Sequence, residues 1–570
     1  VSGIVQENKM KKASTSRSGP FLVAAIATGC ALVAGSSSPS FADDPGPQRA
    51  GDAFDTKTPI KHVVVIFQEN ISFDHYFGTY PQAANPPAEP KFVARPNTPA
   101  VDGFPAELLT NNPNKNAAGT TINPFLLVRD QVVCSQDHAY TDEQTAEDDG
   151  RMDQFVQVAF VNGHTTGNCA PDGSTVMGYV DGNTVTAMWH YAQHYAMSDN
   201  SYGSTFGPST PGAINLISGQ TYGVPQNLTL GNTTGDVTFD PATNVGAITG
   251  DPDPLFDDCG SPDQAGLPDA NRNVGDLLNA RGITWGWFQG GFAPSTPAQL
   301  DANGNVVTPA VCATTTQGHP GIDPTNPSDP VHAPITAYVA HHNPFEYYAH
   351  SANPHHLPPS APHRIGETDQ ANHQYDLGDF WTAVDSGHMP AVSYLKAAAA
   401  EDGHSSNSDP LSEQIFVVDT INKLQKRPEW ESTLVIISYD DSDGWYDHVP
   451  AVLVNGSASA ADDYSGAGLC GKAAPGAFQG RCGHGPRLPL ILVSPWAKDN
   501  YVDHTLTDQT SSLRFIEENW HLGFVDGPVP PPRGRESFDR IAGSIEGMLD
   551  FSQPRSERLF LEEHTGEVVR

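Results

Sequence analysis

The chain holds 570 residues, with 30 Lys and Arg against 66 Asp and Glu, for a formal net charge of -36 at pH 7. A surface this negative repels phosphate backbones and anionic headgroups, which excludes non-specific nucleic-acid binding. Aromatic residues at 9% argue against disorder, and 53 Gly with 49 Pro describe a loop-rich globular chain rather than a helical bundle or coiled coil.

Residues 1–42 read as an export signal. Met10-Lys11-Lys12 and Arg17 are basic, Phe21 to Gly35 is mostly apolar, and Pro39-Ser40-Phe41-Ala42 ends in a small-x-small cleavage pattern. Residues 1–9 read as an upstream extension, Ala27-Thr28-Gly29-Cys30 offers a lipoprotein alternative, and 43–59 reads as a linker. The apolar stretch falls short of the roughly 20 residues that span a bilayer, and no integral membrane segment is expected. The expected location is therefore periplasmic or extracellular. Six cysteines remain after Cys30 is removed, and the economical pairing is Cys134/Cys169, Cys259/Cys312 and Cys470/Cys482, as suits an oxidising compartment.

Apolar runs at 62–67, 433–438 and 488–493 are bounded by polar, Gly or Pro residues, the pattern of parallel strands buried on both faces. Leu411, Ile415, Val418, Ile421 and Leu424 recur at helical spacing behind Asp409-Pro410, an N-cap and first-turn pair, and 508–520 repeats the pattern. The expected fold is α/β: a central, mostly parallel sheet flanked by helices within one domain over 60–525. Long insertions fall at about 82–130, 220–280 and 295–370, and 526–570 forms a C-terminal tail. The insertions show no periodicity and are expected to wall a site.

The first apolar run leads into Gln68-Glu69-Asn70 and the second into Tyr439-Asp440-Asp441. Ligand sites of parallel sheets form at the carboxyl ends of strands, and adjacent carboxylates there call for a neutralising divalent cation. Taken singly, such residues also serve as strand caps or Asx-turns. Gly207-Pro208-Ser209-Thr210-Pro211-Gly212 makes a tight turn before an apolar helix, placing a hydroxyl at the helix start as a candidate nucleophile or a plain N-cap. Asp441-Ser442-Asp443-Gly444 and Asp301-x-Asn303-x-Asn305 do not match an EF-hand loop.

The run from His62 to Gly78, HVVVIFQENISFDHYFG, resembles the opening motif of a bacterial phosphoesterase family of secreted acid phosphatases and phospholipases C within the alkaline-phosphatase superfamily. The similarity continues through Asp137-His138, the Ser209 turn, His341-His342-Asn343-Pro344-Phe345, Asp402-Gly403-His404, Tyr439 to Gly444 and Asp508 to Phe515. The resemblance implies one divalent metal (Ca, Mg, Mn or Zn) held by Glu69, Asn70, Ser209, Asp440 and Asp441. It also implies attack on phosphorus by Ser209, with His138, His342 and His404 around the phosphate. His342 is preferred over its neighbour His341, and the division of labour among the histidines stays open.

Phospholipases of that family carry Thr in a Gly-Pro-Thr-Asp-Pro turn and append further C-terminal domains, whereas this chain has Gly-Pro-Ser-Thr-Pro and stops soon after the core. Both departures favour the acid phosphatase A type acting on a small phosphomonoester through a phosphoserine. The alternatives are a phospholipase C acting on phosphatidylcholine-type lipids and a catalytically silent exported binding protein. With 22 His in the chain, turnover is expected to rise below about pH 6.5 as their protonation offsets the negative field.

Overall fold

His62–Gln68 (β1) and Thr433–Tyr439 (β6) are buried along their whole lengths, and they form the middle of an eight-stranded sheet. The other strands, in chain order, are Ala196–Ser198 (β2), Trp285–Gln289 (β3), Gln374–Asp376 (β4), Val392–Lys396 (β5), Leu490–Val493 (β7) and Tyr501–Asp503 (β8). The spatial order is β4-β3-β5-β1-β6-β7-β2-β8. This is a computed structural model that describes residues 54–569 apart from 130, 132, 167 and 317–334. The export signal over 1–42, with Cys30, lies outside the described residues.

β-branched residues dominate β1 and β6, and side chains of this shape pack well in a strand covered on both faces. The in-register pairing ends at Gln68 opposite Tyr439, so Glu69 and Asp440 leave the sheet side by side. On the other side of β1, Ile66 pairs with Leu395, which brings Lys396 to the same edge. The sheet is mostly parallel, as expected, but the run at 488–493 departs from expectation. β7 lies antiparallel to both β6 and β2. Between β6 and β7 the described chain forms loops without a helix, so it re-enters the sheet from the edge at which it left. A parallel neighbour needs a crossover to the opposite edge, and an apolar run carries no signal for direction.

Helices flank this sheet. Four of them are Tyr140–Glu147 (α1), Ser209–Ser218 (α2), Pro410–Leu424 (α3) and Thr510–Asn519 (α4), and α2 packs against α4. Asp409 caps α3 by accepting from the backbone of Leu411 and Ser412, with Pro410 at the first helical position. The insertion at 220–280 contains a three-stranded antiparallel sheet, Tyr222–Pro225, Val237–Asp240 and Val245–Ile248, where no periodicity was visible. In the tail, Leu559 and Leu561 are buried in the main core, and the backbone of Leu559 makes a two-way amide pairing with the Gln425 side chain at 2.7 and 2.8 Å. All three expected disulfides form, with Cα separations of 5.4, 5.7 and 5.9 Å. Among the described residues no helix is long and apolar enough to cross a membrane.

Candidate active site

Three neighbouring strands, β5, β1 and β6, deliver Lys396, Glu69 and Asp440-Asp441 to one edge of the sheet. Asn70 follows Glu69 with a φ of 54°, a left-handed conformation that asparagine tolerates better than most side chains. Its backbone N–H donates to Asp440 Oδ1 at 2.9 Å, and the next amide, Ile71, donates to the carbonyl of Asp441. The two strand ends are thereby tied together.

Ser209 is the first residue of α2, whose N-cap position is occupied by Pro208. The hydroxyl does not cap its own helix. It donates within reach of two carboxylates, 3.1 Å from Glu69 Oε2 and 3.2 Å from Asp441 Oδ2. The helix comes this close because Gly212 has no side chain: a Cβ there would lie 2.2 Å from the carbonyl oxygen of Asp440. The glycine of the turn therefore sets the approach of the nucleophile candidate to the carboxylates.

Glu69, Asn70, Ser209, Asp440 and Asp441 are all buried. Burial drives the Glu69 carboxyl well above its ordinary range, and Asp440 raises it further, while Lys396 opposes the shift. Asp441 is pushed up by burial and then by Asp440. Buried carboxylates crowded in this way need positive charge. Lys396 supplies part of it through a hydrogen bond from Nζ to Glu69 Oε1. Two further acceptors, Asn70 Oδ1 and Asp440 Oδ2, are buried without a hydrogen-bond partner. The Asn70 amide oxygen, the carboxylates of Glu69, Asp440 and Asp441, and the Ser209 hydroxyl form a hard-oxygen donor set that fits a divalent cation. The described residues bring together all five positions expected to bind metal.

The three expected histidines fall into two clusters around this set. Ligand atoms of His138, His404 and Asp443 lie within 4.8 Å of one another, as do those of Glu69, His342 and Asp402. His138 Nδ1 is 2.9 Å from the carbonyl of Gln136 and 3.3 Å from Asp443 Oδ1, leaving Nε2 to face the Asn70 amide at 3.4 Å. Burial would lower the His138 pKa, but Asp443 and Asp251 outweigh it and hold the imidazole at about 8. His342 is buried with Nδ1 3.3 Å from Glu69 Oε1. Burial, then Lys396, drive it well below its ordinary value, so it stays neutral. His341 turns away to Asp253 Oδ1 at 3.2 Å. His404 has Nδ1 2.5 Å from the carbonyl of Ser405.

Lys396 and Asp443 complete the site and escaped the sequence reading. The signal for Lys396 was present, since a lysine ending the apolar run Val392-Ser393-Tyr394-Leu395 has no reason to be buried without a carboxylate partner. His75 and His448 hold separate structural positions. His75 stacks on Trp445 with ring centroids 4.0 Å apart, and His448 pairs with Asp74 at 2.6 Å.

A cavity of about 760 Å³ opens beside His138 and Pro208. Asp137, Asp142, Asp236 and Asp251 line it along with Phe239, and no lysine or arginine is among the described residues lining it. Asp251 Oδ1 also accepts from the amide of Thr210 at 2.9 Å, tying the cavity wall to the Ser209 turn.

The model of the Phosphoesterase family matches residues 60–523. Non-hemolytic phospholipase C of Burkholderia pseudomallei is 24% identical over 513 residues, covering 87% of this chain and 59% of its own length. Hemolytic phospholipase C of Pseudomonas aeruginosa is 23% identical over 504 residues, covering 86% of this chain and 56% of its own. Phospholipase C A of Mycobacterium tuberculosis is 23% identical over 509 residues, covering 87% and 78%. The chain thus spans less than two thirds of the length of the first two of these relatives.

Proposed function

The chain belongs to the Phosphoesterase family, and from that premise we propose that it is an exported, metal-dependent phosphoric ester hydrolase that uses Ser209 as nucleophile on small phosphomonoesters. The observation that carries this reading is the Ser209 hydroxyl poised between two carboxylate oxygens, at 3.1 and 3.2 Å. The metal ligands would be Glu69, Asn70, Ser209, Asp440 and Asp441. A divalent ion there lowers the pKa of the serine hydroxyl and neutralises charge on the phosphate.

Ser209 Oγ forms the new P–O bond as the ester P–O bond breaks, and its proton passes to the Glu69 or Asp441 carboxylate that it already faces. His138 is protonated at neutral pH with Nε2 turned into the site, which suits it to donate to a phosphoryl oxygen or to the departing alkoxide. Neutral His342 positions Glu69 from behind. Water then cleaves the phosphoserine, restoring the hydroxyl and releasing phosphate.

A second reading, phospholipase C activity on choline-type lipids, is favoured by the acidic cavity. Four aspartates beside the site suit a substrate whose phosphate is followed by a fixed cation. The relatives named as phospholipases C point the same way.

Hydrolysis of p-nitrophenyl phosphate by the purified protein, with Ser209→Ala as control, tests the first reading. No turnover with any added divalent metal would sink the hydrolase assignment. Higher kcat/KM on p-nitrophenylphosphorylcholine than on p-nitrophenyl phosphate would move the assignment to the second reading.

A further inference from the structure

One cationic pocket stands apart from the active site. It has a volume of about 270 Å³, and its lining includes Asn455, Lys472, Arg481, Arg533 and Glu536. Three cations against one carboxylate is an unusual balance in a chain with 66 acidic and 30 basic residues.

Arg481 is the decisive member. It is 1% exposed, and its guanidinium lies 4.7 Å over the ring of Phe538. Nη1 donates to the carbonyl of Glu536 at 3.2 Å and Nη2 to that of Gly219 at 3.0 Å. Nε is buried with no hydrogen-bond partner, and the charges of Glu536 and Asp539 act on the guanidinium without a direct hydrogen bond from it to either carboxylate. Burial pulls its pKa down to about 10, still charged at neutral pH. Arg487, equally buried six residues later, shows the usual solution: it pairs with Asp74 at 3.0 Å and Asp447 at 2.9 Å. A buried cation whose hydrogen bonds go only to carbonyls, and whose acidic neighbours do not offset its burial, has room for a further anion. The exposed Lys472 and Arg533 extend that cationic surface to the mouth of the pocket, where the Glu536 side chain is the opposing charge.

We propose that this pocket is a second anion site, built for a phosphate group, whether free or at the head of a lipid. Guanidinium and ammonium groups on several sides of a small concavity match the several oxygens of a phosphate. The site does not depend on the catalytic reading, because none of its residues belongs to the metal or nucleophile set. It lies on the same chain segment as a contact to the nucleophile turn, since the carbonyl of Cys482, next to Arg481, accepts from the amide of Phe206 at 3.0 Å.

The test is calorimetric titration of inorganic phosphate into the metal-loaded full chain and into Lys472→Ala/Arg533→Ala. Both substituted side chains are exposed, and unchanged p-nitrophenyl phosphate turnover at low phosphate verifies the fold of the variant. The expected result is a phosphate-binding event in the wild type, additional to any at the active site, that is weakened about tenfold or more in the variant. Arg481→Met is expected to lose the same event. Co-sedimentation with phosphatidylglycerol vesicles separates the sources: retention of the wild type but not the variant assigns a lipid headgroup, and no retention assigns a soluble phosphate. Identical isotherms together with identical sedimentation for wild type and variant would overturn the proposal.

Discussion

Nζ of Lys396 is hydrogen-bonded to Oε1 of Glu69, with both side chains withdrawn from solvent. The lysine and a divalent cation would share this carboxylate, so removing the lysine should make the protein depend more on the metal. Breaking a buried ion pair leaves the partner uncompensated, at a cost of about 3–5 kcal/mol. Lys396→Met is therefore expected to unfold at lower temperature than the wild type in chelator, and to gain more in Tm from added metal. An equal metal-induced rise in both proteins, read by calorimetry, would refute this coupling.

Ser209→Ala removes the hydroxyl proposed to attack phosphorus, and kcat is expected to fall by about three orders of magnitude or more. Rapid-quench trapping should find phosphorylated protein in the wild type at acidic pH and none in the variant. Retention of more than about a tenth of kcat in Ser209→Ala would exclude this residue as nucleophile.

The adjacent histidines diverge. His342 faces Glu69 and His341 faces Asp253. His342→Ala is expected to lower kcat/KM by about 100-fold, and His341→Ala by less than about fivefold. The reverse order would show that His341, and not His342, is the member of the pair that serves the site.

Stability should carry a pH signature remote from chemistry. Glu517 is buried, and burial followed by Asp539 lifts its pKa from 4.5 to about 10. The folded state therefore keeps a proton that the unfolded chain releases above about pH 4.5, and this contribution to stability declines as pH rises from 4.5 towards 10. By pH 7 the penalty is on the order of 3 kcal/mol. Glu517→Gln is expected to match the wild type near pH 4.5 and to exceed it in Tm increasingly towards pH 8. A constant difference across that range would contradict it.

How far the sequence led depends on what each residue reports. The β-branched runs gave β1 and β6 and their carboxyl-end carboxylates, because burial on both faces and strand-end chemistry are local properties. The five positions expected to hold a metal and the three expected histidines could be named because each belongs to a contiguous motif. The direction of β7 was hidden, since it is decided by the path of the preceding loop. Asp443 was hidden because its partner His138 lies hundreds of residues away in the chain, and Lys396, although its place at the end of an apolar run marked it, could not be matched to Glu69 for the same reason. The expectation that the histidines titrate together near pH 6.5 also meets a more varied set of environments. His75, His190 and His373 are pulled down to about 4 chiefly by burial, while His138 is raised to about 8 chiefly by the charges of Asp443 and Asp251 acting against its own burial. These four histidines therefore do not titrate as one group near pH 6.5.

The missing side chain at Gly212 makes the backbone just past the end of β6, at Asp440, a mechanical stop for α2. The reach of the serine is gauged one turn further along the same face of its own helix, by the peptide carbonyl of Asp440, which already accepts from the Gln509 side chain. Gly212→Ala should therefore leave every polar group of the site intact and still withdraw the hydroxyl from Glu69 and Asp441, so that the protein keeps its charge pattern while losing its stroke.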